Sequence, residues 1–199
     1  MGRWEPDARG RLERAALELF VERGYEQATV TEIARRAGLA QRTFFRHFGD
    51  KREVLFSGAI TQQEYLVSAV ARAPDAATPI DAVDAALEAA AAELQERGEY
   101  ARQRQAVIAA NPELQERELI KLASLAAAIA DALRERGVTD PAASLAAEAG
   151  IAVYKISFER WVSEPGPPDL PGLIRESFGD LREVTAGTAL PGATEGQEG

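Results

Sequence analysis

Runs of alanine and other apolar residues recur at helical spacing along almost the whole chain, and glycine and proline punctuate them. No segment sustains an alternation of β-branched and polar residues, so strands have no sequence support and an all-α fold is the expectation. The first run, about 7–23, sets Leu12, Ala15, Ala16, Leu19 and Phe20 on one stripe, with Gly24 as a left-handed stop. Thr29-Val-Thr-Glu32 has capping-box spacing for a short helix that Gly38 ends, and a third short helix covers about 41–48. Asp50-Lys-Arg-Glu53 reads as the start of a longer helix to about Arg72. Beyond Ala73-Pro74 the expected helices are about 80–97, 99–110, 112–136, 141–164 and 170–183, giving about nine in all. Asn111 and Asp140 are the expected N-caps before Pro112 and Pro141, and Gly137 is a stop. The alanine bias reads as close helix packing.

Composition excludes several classes of function. The 199 residues include no cysteine and one histidine, which removes disulfides, thiolate metal sites, a cysteine nucleophile and the usual zinc sites. No metal or cofactor is expected. The opening MGRWEPDARGRLERAA carries charge where a signal peptide needs an apolar run. No stretch approaches the roughly 18 apolar residues of a membrane span, so the expectation is a cytoplasmic protein with no membrane partner. An enzyme is not expected either, because no phosphate-cradling glycine loop, metal-spaced acids or activated nucleophile is present.

The formal charge of −9 is unevenly spread. Residues 1–56 hold 11 basic and 9 acidic side chains, whereas the rest holds 12 basic and 23 acidic. Between Arg35 and Arg52, Asp50 is the one acid among Arg35, Arg36, Arg42, Arg46, Lys51 and Arg52. Phosphate attraction acts within about 8–10 Å, so this local basic patch matters more than the global balance.

Two short helices joined by Ala37-Gly38-Leu39-Ala40 match a helix-turn-helix. Phe44 and Phe48 face the core with Ile33, Ala34 and Leu39, which leaves Gln41, Arg42, Thr43, Arg46 and His47 pointing elsewhere. Those side chains suit the major groove: arginine pairs with guanine, glutamine with adenine, and threonine touches a thymine methyl. Lys51 suits a phosphate. Arg35 and Arg36 read as a solvated helix face, and Tyr25 as a packing residue.

The run Thr29-Val-Thr-Glu-Ile-Ala-Arg-Arg-Ala-Gly-Leu39, followed by Thr43-Phe-Phe-Arg-His-Phe48 and Lys51, closely resembles the DNA-binding region of TetR-family transcriptional regulators. The resemblance implies a helix-turn-helix head at 1–56, a larger helical ligand-binding and dimerisation domain at 57–184, and a disordered tail at 185–199. It implies base readers at Gln41, Arg42 and Thr43, with backbone or mixed contacts at Thr31, Phe45, Arg46, His47 and Lys51. Two positions depart from the family pattern. Phe45 stands where tyrosine is usual, so a phenol-to-phosphate bond is lost and van der Waals contact with sugar or a thymine methyl remains. Ala40 stands where serine is frequent, which removes a side-chain cap worth about 1 kcal/mol.

The segment from Arg102 to Leu119 resembles a TetR subgroup associated with acyl-CoA-like ligands. On that reading Arg102 and Arg104 lie at the mouth of an apolar pocket, outside the head, and pair with ligand phosphates. The alternative is surface arginines in pairs such as Glu113 with Arg117. Tyr154, Phe158 and Trp161, at i, i+4, i+7 spacing, read as core or subunit interface, or else as a pocket wall.

The resulting expectation is a ligand-responsive repressor that binds a palindrome-like operator in double-stranded DNA as a homodimer. A small hydrophobic or acyl-CoA-like effector releases it. The alternative is a regulator of the same fold with no small-molecule effector, controlled by a protein partner.

Overall fold

The computed structural model describes residues 7–163 and 169–187. Nine α-helices and one 3-10 turn are present among them, with no strand. The stretch Glu164-Pro-Gly-Pro-Pro-Asp169, whose glycine and prolines call for a turn or loop, lies outside the described residues except for Asp169, as does most of the expected tail; the last helix ends at Thr185.

The chain forms two compact units. The first comprises residues 1–62 and 99–122, the second 63–98 and 123–199.

In the first unit, α1 (Ala8–Arg23) starts at Asp7, whose carboxylate accepts from the Gly10 amide. It ends at Gly24, where φ is 84° and the amide donates to the Phe20 carbonyl. All five residues of the expected stripe are buried, and Leu17 is buried with them. Helix α2 (Val30–Arg36) opens with the full capping box: Thr29 Oγ1 accepts from the Glu32 amide, and the Glu32 carboxylate accepts from the Thr29 amide. Gly38, at φ 68°, turns the chain into α3 (Gln41–His47). Ala40 supplies no side-chain cap.

The longer helix expected from Asp50 does not form as one piece. Asp50 Oδ1 accepts from the amides of Arg52 and Glu53, but the chain then takes a 3-10 turn, Glu53–Phe56. Helix α4 (Ala59–Ala71) begins only after Ser57-Gly58. Val54, Leu55 and Phe56 are all buried in the core that Leu12, Phe20 and Ile108 share, so this turn is held by tertiary packing.

Helix α5 (Pro79–Gln95) precedes α6 (Gly98–Ala109) and α7 (Pro112–Glu135). Val107, Ile108 and Leu114, from α6 and the start of α7, join the core formed by α1, α2, α3 and the 3-10 turn. The N-terminal helices therefore share one core with a segment some fifty residues downstream. The Asn111 side chain does not cap α7: its amide donates to the Val107 carbonyl, and the Asn111 backbone carbonyl receives the Leu114 and Gln115 amides.

In the second unit α5 packs with α8 (Ala142–Ser163) and α9 (Leu170–Thr185). The alanines do what their size allows. Ala82, Ala86, Ala91, Ala143 and Ala147 are buried between helices, and a Cβ on Gly150 would stand 2.3 Å from Val83 Cγ1. A buried pair of hydroxyls joins α8 to α9: Ser157 Oγ lies 3.0 Å from Ser177 Oγ and 3.2 Å from the Leu173 carbonyl oxygen. On the surface of the same three-helix layer, Arg182 reaches Asp81 and Asp84, and Arg175 reaches Glu88. Gly137, at φ 87°, stands after α7 as expected. The helix after Asp140 starts one residue later than Pro141, at Ala142, and the Asp140 carboxylate accepts from the Ser144 backbone amide in its first turn. The same carboxylate also accepts from Arg134 and the Ser144 hydroxyl.

Candidate nucleic-acid interface

Helix α3 has two chemically opposite sides. Phe44 and Phe48 are buried against the first unit's core, four residues apart, with ring centres 5.3 Å from each other. Gln41, Arg42, Phe45, Arg46 and His47 are exposed, and Thr43 is partly exposed. The helix contains no carboxylate, and neither Arg42 nor Arg46 has an ion-pair partner among the described residues. Uncompensated guanidinium groups beside an amide and an apolar ring on one rigid face suit an anionic, hydrogen-bonding surface.

The neighbouring charges are sorted by partners the sequence did not reveal. Arg36 forms a two-pronged pair with Glu22, both distances 2.7 Å, and also reaches Glu18. That pairing holds the Glu22 carboxyl below its usual value and keeps Arg36 charged. Arg52 is paired with Asp50. Arg35, by contrast, is exposed on α2, as is Thr31. The solvated face expected for Arg35 and Arg36 is thus divided: one arginine stays open and the other is tied to α1.

Lys51 is more constrained than a surface phosphate contact would be. Its ammonium donates to the carbonyls of Tyr25 (2.9 Å) and Glu26 (3.2 Å) and lies 4.2 Å from the centre of the Tyr25 ring. Tyr25 itself is buried, edge-on to Phe20 at 5.1 Å. Burial and a hydrogen bond to the Glu113 carboxylate push its hydroxyl pKa well up.

The residues considered for ligand binding fall in both units. Arg102 and Arg104 belong to the first, and Tyr154, Phe158 and Trp161 to the second. Arg104 is engaged in its own unit: Nε donates to the Leu55 carbonyl at 2.7 Å, Nη1 to Glu118 at 3.0 Å, and the guanidinium lies 5.0 Å from the Phe56 ring centre. It is therefore not outside the compact unit that carries α3. The expected Glu113–Arg117 pair is replaced by two longer-range contacts, Glu113 with Tyr25 and Arg117 with Glu53 (2.6 Å). No local signal marks these partners, because they lie far apart in sequence. Tyr154, Phe158 and Trp161 form a continuous aromatic row, with successive centres 5.8 and 5.7 Å apart; Trp161 is buried and the other two partly so. Among the described residues no group of three or more potential ligands could hold a metal ion, and no helix is long and apolar enough to cross a membrane.

Comparison with known proteins agrees with this geometry. Residues 13–57 match the profile of bacterial regulatory proteins of the tetR family, and residues 77–186, more than half the chain, match that of the MftR C-terminal domain. The HTH-type transcriptional regulator TcmR of Streptomyces glaucescens is 40% identical over 81 residues, 41% of this chain and 36% of TcmR. The chain thus matches about a third of that relative's length. Two solved structures share the fold. FadR of Thermus thermophilus, a TetR-family repressor in complex with lauroyl-CoA, gives a TM-score of 0.54 at 24% identity, covering 96% of this chain and all of FadR. SmeT of Stenotrophomonas maltophilia, in complex with triclosan, gives 0.65 at 21% identity, covering 96% and 99%. An outward α3 without acids, on a head matched by one profile and succeeded by helices matched by another, has one reading: the chain belongs to the tetR family of bacterial regulatory proteins.

Proposed function

We propose that this regulator is a cytoplasmic homodimeric repressor that binds a palindrome-like operator through α3 and is released by a small apolar or acyl-CoA-like effector. The observation that carries the DNA-binding part is the α3 face itself, where Gln41, Arg42 and Arg46 are exposed and the two arginines are uncompensated. Thr43 adds a hydroxyl and methyl beside them, Thr31 and His47 flank the face, and Lys51 retains one ammonium proton for a phosphate.

Dimerisation is supported by an apolar stripe on α8. Leu145, Ala152 and Ile156 are exposed at i, i+7, i+11 spacing, Leu145 to 65% and Ile156 to 55%. A second copy covering this stripe from α8 and α9 would bring two heads to successive half-sites. For the effector, the support is by likeness: FadR is bound to lauroyl-CoA and SmeT to triclosan, molecules that each have a large apolar part. Tyr154 and Phe158 would offer aromatic surface to such a molecule. The engagement of Arg104 by Leu55 and Glu118 favours a second reading, in which no anionic effector is held there and control comes from a protein partner.

Selection of fragments from random DNA, followed by binding titrations with and without lauroyl-CoA, tests the whole scheme. A two-fold symmetric site bound by a dimer is expected, and binding without sequence preference would overturn it. If lauroyl-CoA is an effector, operator DNA must weaken its binding by the same factor by which it weakens DNA binding. Equal ligand affinities in both titrations would leave the effector-free reading.

A further inference from the structure

We infer that Phe45 is a specificity-determining residue that reads the C5-methyl group of a thymine in each half-site, an inference that rests on the DNA-binding reading above. Phe45 is 53% exposed, the only large apolar side chain so exposed on α3. It stands four residues after Gln41 and three after Arg42, and precedes Arg46, so helical geometry puts all four on one outward face with the phenyl ring at its centre. The ring is not free to swing inward. Phe44 beside it is fully buried, and the two rings meet edge to face at 82° with centres 5.6 Å apart.

The chemistry of the groove narrows what such a ring can touch. A phenyl group neither donates nor accepts a hydrogen bond, so it cannot replace water on base-edge nitrogens and oxygens or on phosphates without leaving them unpaired. The major groove presents one apolar group on a natural base pair, the thymine methyl. If Arg42 and Gln41 approach base edges, the ring between them approaches the groove floor as well. A polar edge opposite it would be penalised, and a methyl would be rewarded. The face therefore recognises a hydrogen-bonding pattern interrupted by one apolar position.

Uracil scanning of the selected operator provides the test, with the full-length protein. Each thymine is replaced in turn by deoxyuridine, which removes only the methyl, and binding is compared for the wild type and Phe45→Ala. Wild-type affinity is expected to fall about fourfold at one thymine per half-site, the worth of one buried methyl group. Phe45→Ala should be insensitive at that same position, while its far-ultraviolet circular dichroism and preference at other positions are retained. A flat scan with intact specific binding would overturn the methyl contact alone. Equal weakening of all sequences by Phe45→Ala would place the ring on sugar and overturn it too. Failure of the wild type to prefer any DNA sequence would overturn the underlying DNA-binding reading with it.

Discussion

Lys51 holds the carbonyl oxygen of Tyr25 at 2.9 Å while its ammonium stands 4.2 Å from the centre of that residue's own ring. The lysine thereby ties the end of the α3 region to the loop after α1. Lys51→Ala is expected to lower unfolding free energy by about 1–2 kcal/mol, combining lost charge-assisted bonds with a lost cation–π contact. Urea denaturation measures this directly. An unchanged midpoint accompanied by weaker DNA binding would assign Lys51 to the phosphate backbone instead.

Arg42 lacks any ion-pair partner among the described residues, so its removal should cost little stability. Arg42→Ala is expected to weaken specific DNA binding by about 1–3 kcal/mol and relax preference at one position per half-site. Fluorescence anisotropy against the selected site and against random DNA separates the cases. Equal losses on both would make Arg42 a backbone contact.

Gly150 has no room for a methyl group, since its Cβ would meet Val83 Cγ1 at 2.3 Å. Gly150→Ala should destabilise the second unit by about 1–3 kcal/mol. Combining it with Val83→Ala should recover part of that loss, because the two sites share one space. Strictly additive losses in thermal unfolding would contradict the close approach of α8 to α5.

Arg104 joins the Leu55 carbonyl, Glu118 and the Phe56 ring. Arg104→Ala is expected to cost about 1–3 kcal/mol of stability through the carbonyl and carboxylate left behind. It should also weaken DNA binding in the absence of any effector, because the 3-10 turn after α3 loses its tie to α6. DNA affinity equal to that of the wild type would show that the turn holds α3 without help.

The Glu22–Arg36 pair predicts a limb of acid destabilisation. The guanidinium hydrogen bond keeps the Glu22 carboxyl below its ordinary 4.5. A carboxyl with a lowered folded-state pKa contributes stability that is complete above the unfolded value and disappears as pH falls through the folded one. Denaturation midpoints should therefore decline below about pH 4.5 in the wild type, and less steeply in Glu22→Gln. Parallel declines would show that the pair is dispensable.

Local rules made much of this molecule legible. Gly24, Gly38 and Gly137 adopt positive φ where a helix had to stop, and Thr29 with Glu32 closes the capping box that its spacing announced. Phe44 and Phe48 are buried as their four-residue interval required. The features that escaped the sequence were decided at a distance. The helix expected from Asp50 is interrupted by a 3-10 turn whose Val54, Leu55 and Phe56 are buried in a core that Val107, Ile108 and Leu114 join from far downstream, which their own neighbourhood does not reveal. Likewise, Arg36 and Arg117 have the local pattern of surface charges, yet Glu22 and Glu53 stand beside them from elsewhere in the chain. At the candidate interface the outward residues of α3 obey helical periodicity, whereas the immobilisation of Lys51 depends on a loop 25 residues earlier.

The first compact unit is assembled from two stretches of chain, 1–62 and 99–122. A gene fragment ending near residue 57 would encode every residue of the family's head profile yet not a self-sufficient body. Its Phe20, Val54 and Phe56 would lack the cover of Val107, Ile108 and Leu114, and Tyr25 would lack Glu113. Grafting this DNA specificity onto another regulator therefore calls for two pieces of the coding sequence rather than one, so that the downstream segment travels with the recognition helix. The unit of inheritance suggested by a linear motif is smaller than the unit that folds.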